Sequence, residues 1–233
     1  MSIVKIDKNF GGTNLMIKKR ISKRIISCFM LCALMISSIV GFAITSDAAS
    51  VNDSQGGKTY CVDKQSSLGE ALRNSNDGDC IEFTDDIVYS GTIYVNKNVT
   101  IDFNSKSLRL MNTSNGLYIS VDKSKEVTLK NGAIYGASDS NSTVRARAGK
   151  VNLKGMNVYG GDCKHIDYSW GNGIYVCRDA EIHLDDCFVM GGSSYRRRDS
   201  YDIQTGKAIY GSKVISEGNG YTAIDGECGP IRK

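Results

Sequence analysis

Short runs that alternate apolar and polar residues recur from Ile93 onward, and this pattern predicts β-strands with one buried face. Three segments can be aligned by eye; they begin at Val127, Val151 and Ile182, which are 24 and 31 residues apart. A looser copy begins at Val99, 28 residues before Val127. No helical periodicity separates the copies, which excludes crossovers of the βαβ type.

A second short strand is predicted just before each copy. Its inward residues are Ile93, Leu117, Val144, Ile174 and Ile209. The residues that follow them point outward and form a predicted vertical column, named here the Tyr/Arg column: Tyr94, Tyr118, Arg145, Tyr175 and Tyr210. Such stacks are more often structural, each aromatic pair adding about 0.5–1.5 kcal/mol. An extended platform for sugar rings is the alternative.

Strands that return without intervening helices predict a solenoid in which each turn stacks about 4.8 Å from the last. The inward ladders would be Val99/Ile101, Val127/Leu129, Val151/Leu153 and Ile182/Leu184. On the outer face, one column would hold Asn98, Glu126, Lys150 and Glu181, and a second would hold Asp102, Lys130, Lys154 and Asp185. Opposite charges mostly meet along each column, which favours the same alignment.

The open end of a solenoid exposes unpaired strand edges, and residues 67–75 supply a predicted capping helix. Ser67 is its expected N-cap, with Glu70 three residues further on. Leu68, Ala71 and Leu72 form its apolar stripe. The turn at 76–79 then leads into a predicted strand at 80–83.

These segments resemble the start of the pectate-lyase-like right-handed parallel β-helix proteins. The resemblance rests on Ser-Leu-Gly-Glu-Ala-Leu at 67–72, Asp-Gly-Asp-Cys-Ile at 77–81 and Val-Thr-Ile-Asp at 99–102. It covers roughly residues 58–228 and implies an all-β, single-stranded right-handed parallel β-helix of about five coils with a short N-terminal capping helix. The superfamily holds lyases, hydrolases, epimerases, phage tailspikes and adhesins, so the resemblance implies an architecture rather than one activity.

Residues 1–49 have the order of a secretory signal. A basic run at 18–24 precedes an apolar stretch at 25–44 and a small-residue zone at 46–49. Cleavage there would leave one domain, residues 50–233, which we expect to be secreted or loosely surface-associated. Met16 is an alternative start, and an uncleaved signal would act as an N-terminal anchor.

Charge and cysteine content narrow the class of protein. The net charge of +4 belongs to the signal, because 22 of the 29 Lys/Arg and 23 of the 25 Asp/Glu lie after residue 49. The nearly neutral domain excludes a generally basic nucleic-acid binder, and it has no second apolar run long enough to span a membrane. Six cysteines remain, and an even number in an exported chain favours disulfides, with free thiols as the alternative. They are Cys61, Cys80, Cys163, Cys177, Cys187 and Cys228.

Two insertions leave the repeat at the same point in consecutive copies, after Gly160-Gly161 and after Gly191-Gly192. We therefore expect them to lie side by side on one flank. Their aromatic rings can stack on sugars, and their cations can pair with carboxylate or sulfate. A solvated loop pinned by Cys163 is the alternative. The candidate substrate-binding residues are Lys164, His165, Asp167, Tyr168, Trp170, Tyr195, Arg196, Arg197, Arg198 and Tyr201.

The catalytic signal is weaker. Lyases of the resembled family typically need clustered carboxylates for Ca²⁺ and a basic group near the abstracted proton. Candidate ligands for Ca²⁺, the one cofactor considered, are Asp162, Asp167 and Asp185, and candidate catalytic residues are Arg178, His183 and Asp185. His183 is also explained as a strand-surface residue, and Asp185 by pairing with Lys154.

The sequence therefore predicts first a secreted module that binds a polysaccharide or cell-surface glycan, with an acidic glycan preferred. The alternatives are a Ca²⁺-dependent polysaccharide lyase, or a hydrolase of the same superfamily, and a structural surface protein. Either a monomer or a stacked oligomer fits, with no nucleic-acid partner and no membrane contact after signal cleavage.

Overall fold

A computed structural model describes residues 50–54, 57–162, 171–195, 206–226 and 228–229 of the chain. This part is all-β with one short helix, and fifteen of its strands form a single, mostly parallel sheet. The predicted signal at residues 1–49 lies outside the described residues. No helix in the described ranges has the length and apolarity that a membrane span requires.

The described elements are the helix α1 (Gln65–Asn74) and a series of mostly short strands. The strands are β1 (Ser50–Ser54), β2 (Gly57–Val62), β3 (Cys80–Phe83), β4 (Ile87–Ser90), β5 (Ile93–Val95), β6 (Thr100–Asp102), β7 (Ser107–Met111), β8 (Leu117–Ser120), β9 (Glu126–Tyr135), β10 (Ser142–Tyr159), β11 (Asn172–Asp185), β12 (Cys187–Met190), β13 (Ser194–Tyr195), β14 (Ile209–Gly211), β15 (Val214–Ser216), β16 (Tyr221–Ile224) and β17 (Cys228–Gly229).

Three rows of parallel pairing connect these strands. The first row runs through β5, β8, the starts of β10 and β11, and β14. The second runs through β2, β3, β6, β9, β10, β11 and β15. The third runs through β4, β7, the ends of β9 and β10, β12 and β16. Among the described strands, only β1 and β2 pair antiparallel within this sheet.

The register of the second row is the one that the alignment predicts. Val127 pairs with Val151, and Val151 pairs in turn with Ile182. These three side chains, and the Leu two positions after each, have no exposed surface. Apolar residues at every second position place one continuous aliphatic ladder on one face of the row, because side chains alternate along a strand. The predicted ladders and repeat alignment are confirmed.

The outward charge columns are confirmed at two of their opposite-sign positions. Lys130 Nζ lies 3.0 Å from Asp102, and Lys150 Nζ lies 3.7 Å from Glu126. Lys154 pairs in register with Asp185, but the described side chains form no ion pair there. Asp185 Oδ1 instead accepts a hydrogen bond from the backbone N–H of Asn219 at 2.9 Å.

Each repeat turns sharply between the second and third rows. Asn131, Gly155 and Asp186 occupy this turn with φ of 61°, 59° and 53°. Asn, Asp and Gly are the residues that adopt this left-handed region most readily. The turn therefore recurs although the three copies place different residues in it.

The capping helix begins two residues earlier than predicted, and Ser67 is not its N-cap. The N-cap is Lys64, and Ser67 lies in the first turn with its side chain buried. Its hydroxyl oxygen accepts the N–H groups of Asp63 and Lys64, both at 3.1 Å. Ser67 therefore binds the N–H groups that precede the helix from a position in the first turn, rather than as the N-cap residue. The predicted apolar stripe is confirmed, since Leu68 and Ala71 are buried and Leu72 packs against the core.

The predicted disulfides are not formed within the described part of the chain, where Cys80, Cys177 and Cys187 are free thiols. These three lie on different strands, β3, β11 and β12. Cys187 is buried and donates to the carbonyl of Leu153 at 3.3 Å. Burial raises the pKa of both the Cys80 and the Cys187 thiol, which keeps them protonated. Cys163 lies outside the described residues.

Candidate functional site

The Tyr/Arg column forms on the outer face of the first row, in the predicted register. The rings of Tyr94 and Tyr118 have centroids 5.5 Å apart, and those of Tyr175 and Tyr210 are 5.2 Å apart. Arg145 fills the place between the two tyrosine pairs. Its Cζ lies 5.9 Å from the Tyr118 centroid and 4.9 Å from the Tyr175 centroid. Four steps between neighbouring strands give the column a length of about 19 Å.

Arg145 is held as a cation without a carboxylate. Its Nη1 donates to Asn115 Oδ1 at 2.6 Å, and its Nε is buried without a hydrogen-bond partner. No acidic side chain of the described residues forms an ion pair with Arg145. The guanidinium lies between two aromatic faces, which favour a cation. The guanidinium is therefore fixed in position while its charge remains available to an anion.

A cavity of about 210 Å³ lies in the half of the column that runs from Arg145 to Tyr210. Its lining consists of Arg145, Tyr175, Tyr210, Asn141 and Asn172. Asn172 is the second described residue after the first insertion. It is fixed by two hydrogen bonds, from its Nδ2 to the Asn141 carbonyl at 3.1 Å and from the Lys207 N–H to its Oδ1 at 2.8 Å. The insertion therefore rejoins the sheet at the edge of this cavity.

The residues from which the two insertions leave, named here their stems (160–162 and 191–193), lie against each other. The backbone N–H of Ser193, after the second glycine pair, donates to Asp162 Oδ1, after the first pair, at 3.1 Å. A Cβ on Gly161 would collide with the Ala137 carbonyl, and one on Gly192 would collide with the Gly161 carbonyl. Glycine is thus required where the backbones of successive repeats meet without room for a side chain. The expected adjacency of the insertions is confirmed for their stems.

Most of the predicted substrate-binding side chains lie outside the described residues. These are Lys164, His165, Asp167, Tyr168, Trp170, Arg196, Arg197, Arg198 and Tyr201. Tyr195 is described only as backbone, in β13, where it pairs with Gly229 of β17. Their role in binding stays a prediction.

Comparison of the chain with protein-family models, with curated proteins and with solved structures finds no match.

The three candidate catalytic residues all lie on β11. His183 is only 8% exposed, and its Nδ1 contacts Glu217 while its Nε2 lies 3.2 Å from Glu181. Both ring nitrogens of His183 therefore face carboxylates. Arg178 is exposed, and Asp185 accepts the Asn219 N–H. The catalytic role of these residues and the strand-surface interpretation of His183 both stay predictions.

Two of the three predicted Ca²⁺ ligands, Asp162 and Asp185, lie in the described residues, and each accepts a different backbone N–H. Asp162 is exposed and binds the second stem through Ser193, whereas Asp185 binds the backbone of a later repeat. No group of three or more His, Cys, Asp or Glu side chains suited to a metal occurs within the described ranges. Asp167 lies outside the described residues, so a Ca²⁺ site stays a prediction.

The contact between His183 and Glu217 joins β11 to the chain that follows β15. Its hydrogen bond to His183 holds the pKa of the Glu217 carboxyl below its ordinary value. A carboxyl with a lowered folded-state pKa contributes stability above its unfolded pKa, and that contribution is lost as the pH falls through the folded value. We expect the melting temperature of the parent protein to exceed that of Glu217→Gln at neutral pH, and the difference to shrink below about pH 4.3. Thermal unfolding of both proteins from pH 7 to pH 3 measures this. Glu70→Gln on α1 is the control, and a difference that does not change with pH contradicts the assignment.

A second outward stack, on the third row, escaped the sequence prediction. Arg109 Cζ lies 5.0 Å from the Tyr135 centroid, and the Tyr135 and Tyr159 rings stack 4.8 Å apart at 5°. Phe188 continues the stack at 5.8 Å from Tyr159. The signal in the sequence was the shared Tyr at the ninth position of the copies that begin at Val127 and Val151.

Proposed function

We propose that this chain is a secreted glycan-binding protein that holds an acidic polysaccharide along the Tyr/Arg column, on a right-handed parallel β-helix of about five coils. Three rows of parallel strands in repeat register support the architecture. The signal-like order of residues 1–49 supports export. The proposed surface has the chemistry of a sugar site, since flat rings can stack on sugar faces while a fixed cation pairs with an acidic group.

The observation that carries the proposal is Arg145. Its guanidinium lies between the rings of Tyr118 and Tyr175 and is bound by a neutral amide, with no ion pair to a described carboxylate. By comparison, Lys130 in the second row forms an ion pair with Asp102. A carboxylate or sulfate on a bound glycan would supply the missing charge.

The two insertions would form one wall of the binding surface. The first rejoins the sheet at Asn172, which lines the cavity beside Arg145. The second leaves next to the first through the contact between Ser193 and Asp162. Trp170, Tyr168 and the arginines at 196–198 would then extend the aromatic and basic character of the column.

The test is retention of the exported protein on immobilised acidic and neutral polysaccharides. Polygalacturonate, hyaluronan and heparin serve as acidic ligands, with dextran as the neutral control. We expect retention on at least one acidic polymer, weakened by added salt because exposed charges are screened, and weakened by removal of residues 194–201. Equal retention on dextran, or no retention at all, contradicts the proposal. Absorbance near 230 nm in the same samples, with and without a chelator, reports the lyase alternative.

A further inference from the structure

The Tyr/Arg column ends in a groove beneath the capping helix. This cap groove has a volume of about 380 Å³ and is lined on the sheet side by Tyr94 and Tyr89. Gly69, Arg73 and Lys97 are among the residues that complete it. Tyr94, the first ring of the column, is 65% exposed. The groove therefore combines an accessible aromatic face with basic side chains.

Helix α1 bounds the column at this end. Strand β5, which carries Tyr94, pairs with β8 on one side only. Helix α1 packs against β5 and the neighbouring β4. At the other end, Tyr210 lies on β14, which pairs only with β11 among the described strands. A linear ligand that follows the column from Tyr210 would meet α1 when it reaches Tyr94.

Of the two cations in the cap groove, only Arg73 is available to a ligand. Lys97 Nζ donates to the carbonyls of Leu72 at 3.2 Å, Arg73 at 2.7 Å and Ser75 at 2.5 Å. Its three protons are thereby used to satisfy the carbonyls at the end of α1. The side chain of Arg73 is exposed and forms no ion pair with a described carboxylate.

Arg73 lies one turn after Gly69 in α1, and its guanidinium folds back towards this glycine. The guanidinium Nη1 lies 3.5 Å from the position that a Cβ on Gly69 would take. Glycine is a poor residue for the middle of a helix, and φ at this position is not in the left-handed region, so backbone geometry does not require it here. Its presence keeps the wall of the cap groove open beside the guanidinium.

We propose that the cap groove binds the terminal sugar of the acidic glycan, with Arg73 pairing with its carboxylate or sulfate and Tyr94 stacking on its ring. This inference rests on the proposed function and deepens it, because the protein would then recognise the ends of glycan chains. A column that α1 bounds at one end favours a terminus, whereas an open column accepts any stretch of a polymer.

Calorimetric titration with acidic oligosaccharides tests the inference. The probes are a hexasaccharide and a chain several times longer, both of the polymer retained by the parent protein. End recognition predicts one protein bound per chain at both lengths. Arg73→Ala should weaken hexasaccharide binding about tenfold, as expected for the loss of one charge-assisted pair. A long glycan chain should also bind more than one molecule of this variant, because Arg145 would then hold internal stretches.

Two further variants separate binding from folding. Gly69→Gln places a better helix former in α1, so a loss of hexasaccharide binding by this variant cannot arise from a weakened helix. Arg109→Ala removes an exposed arginine that also lies over a tyrosine ring, but on the third row, and it should bind like the parent.

The inference is overturned if the number of proteins bound by the parent rises with chain length, or if Arg73→Ala binds as Arg109→Ala does. Loss of binding in Arg145→Ala, with no loss in Arg73→Ala, would overturn the terminal site alone and leave the proposed function standing. If the parent binds none of the acidic polymers, the proposed function and the terminal site fail together.

Discussion

Arg145→Ala should abolish most of the retention of this protein on acidic glycans. The guanidinium lies between two tyrosine rings and lacks a carboxylate partner among the described residues, so an acidic ligand would be its counter-ion. Loss of a charge-assisted hydrogen-bonded pair costs about 2 kcal/mol, which raises the dissociation constant roughly thirtyfold. Titration of parent and variant with the retained polymer measures the change.

Arg109→Ala is the matched control for Arg145→Ala. Both arginines lie over tyrosine rings at about 5 Å, and both substitutions remove one positive charge. Arg109 lies on the third row, away from the Tyr/Arg column. If the two variants lose affinity equally, the effect arises from overall charge and the column is not the binding surface. Arg145→Lys adds a second comparison, because it keeps the charge and loses the planar fork.

Gly161→Ala should destabilise the fold by about 3 kcal/mol or more, a loss typical of side chains forced into closely packed backbone. The new methyl group would collide with the carbonyl of Ala137. Neither group is the flexible end of a side chain, so relief requires successive repeats to separate. The shift would also disturb the contact of Ser193 with Asp162. Chemical denaturation measures the loss of unfolding free energy.

Gly155→Asn is the control for the glycine substitution. Gly155 has φ of 59°, and nothing lies closer than 3.7 Å to the position of a new Cβ. Asn131 occupies the same turn one repeat earlier with φ of 61°, so asparagine fits this backbone. We expect a loss well under that of Gly161→Ala. If Gly161→Ala loses as little unfolding free energy as Gly155→Asn, the stems are packed less closely than the structure shows.

The strand rows could be predicted because alternation carries both the identity of a strand and its register. One copy beginning at Val127 and another at Val151 specify which residues face inward, and a shift by one residue would bury the polar set. The Tyr/Arg column followed from the same register. Opposite charges at Asp102 and Lys130 supported the alignment independently of the apolar positions.

Other features depend on contacts that a linear pattern does not contain. Ser67 matched an N-cap motif, but its hydroxyl binds the two N–H groups before it from within the helix. His183 was visible as a residue type beside carboxylates, yet its ring contacts Glu217, a whole repeat later. The cap groove could not be predicted, because it needs the position of α1 relative to Tyr94 and the saturation of Lys97 by carbonyls.

The most direct test of glycan binding along the Tyr/Arg column is amide chemical-shift mapping of the labelled protein during titration with the retained acidic oligosaccharide. Binding along the column predicts a continuous line of shifted resonances at residues 94, 118, 145, 175 and 210, with those of Arg109, Tyr135 and Tyr159 unchanged. Shifts confined to the third row, or scattered without relation to the first row, would contradict it.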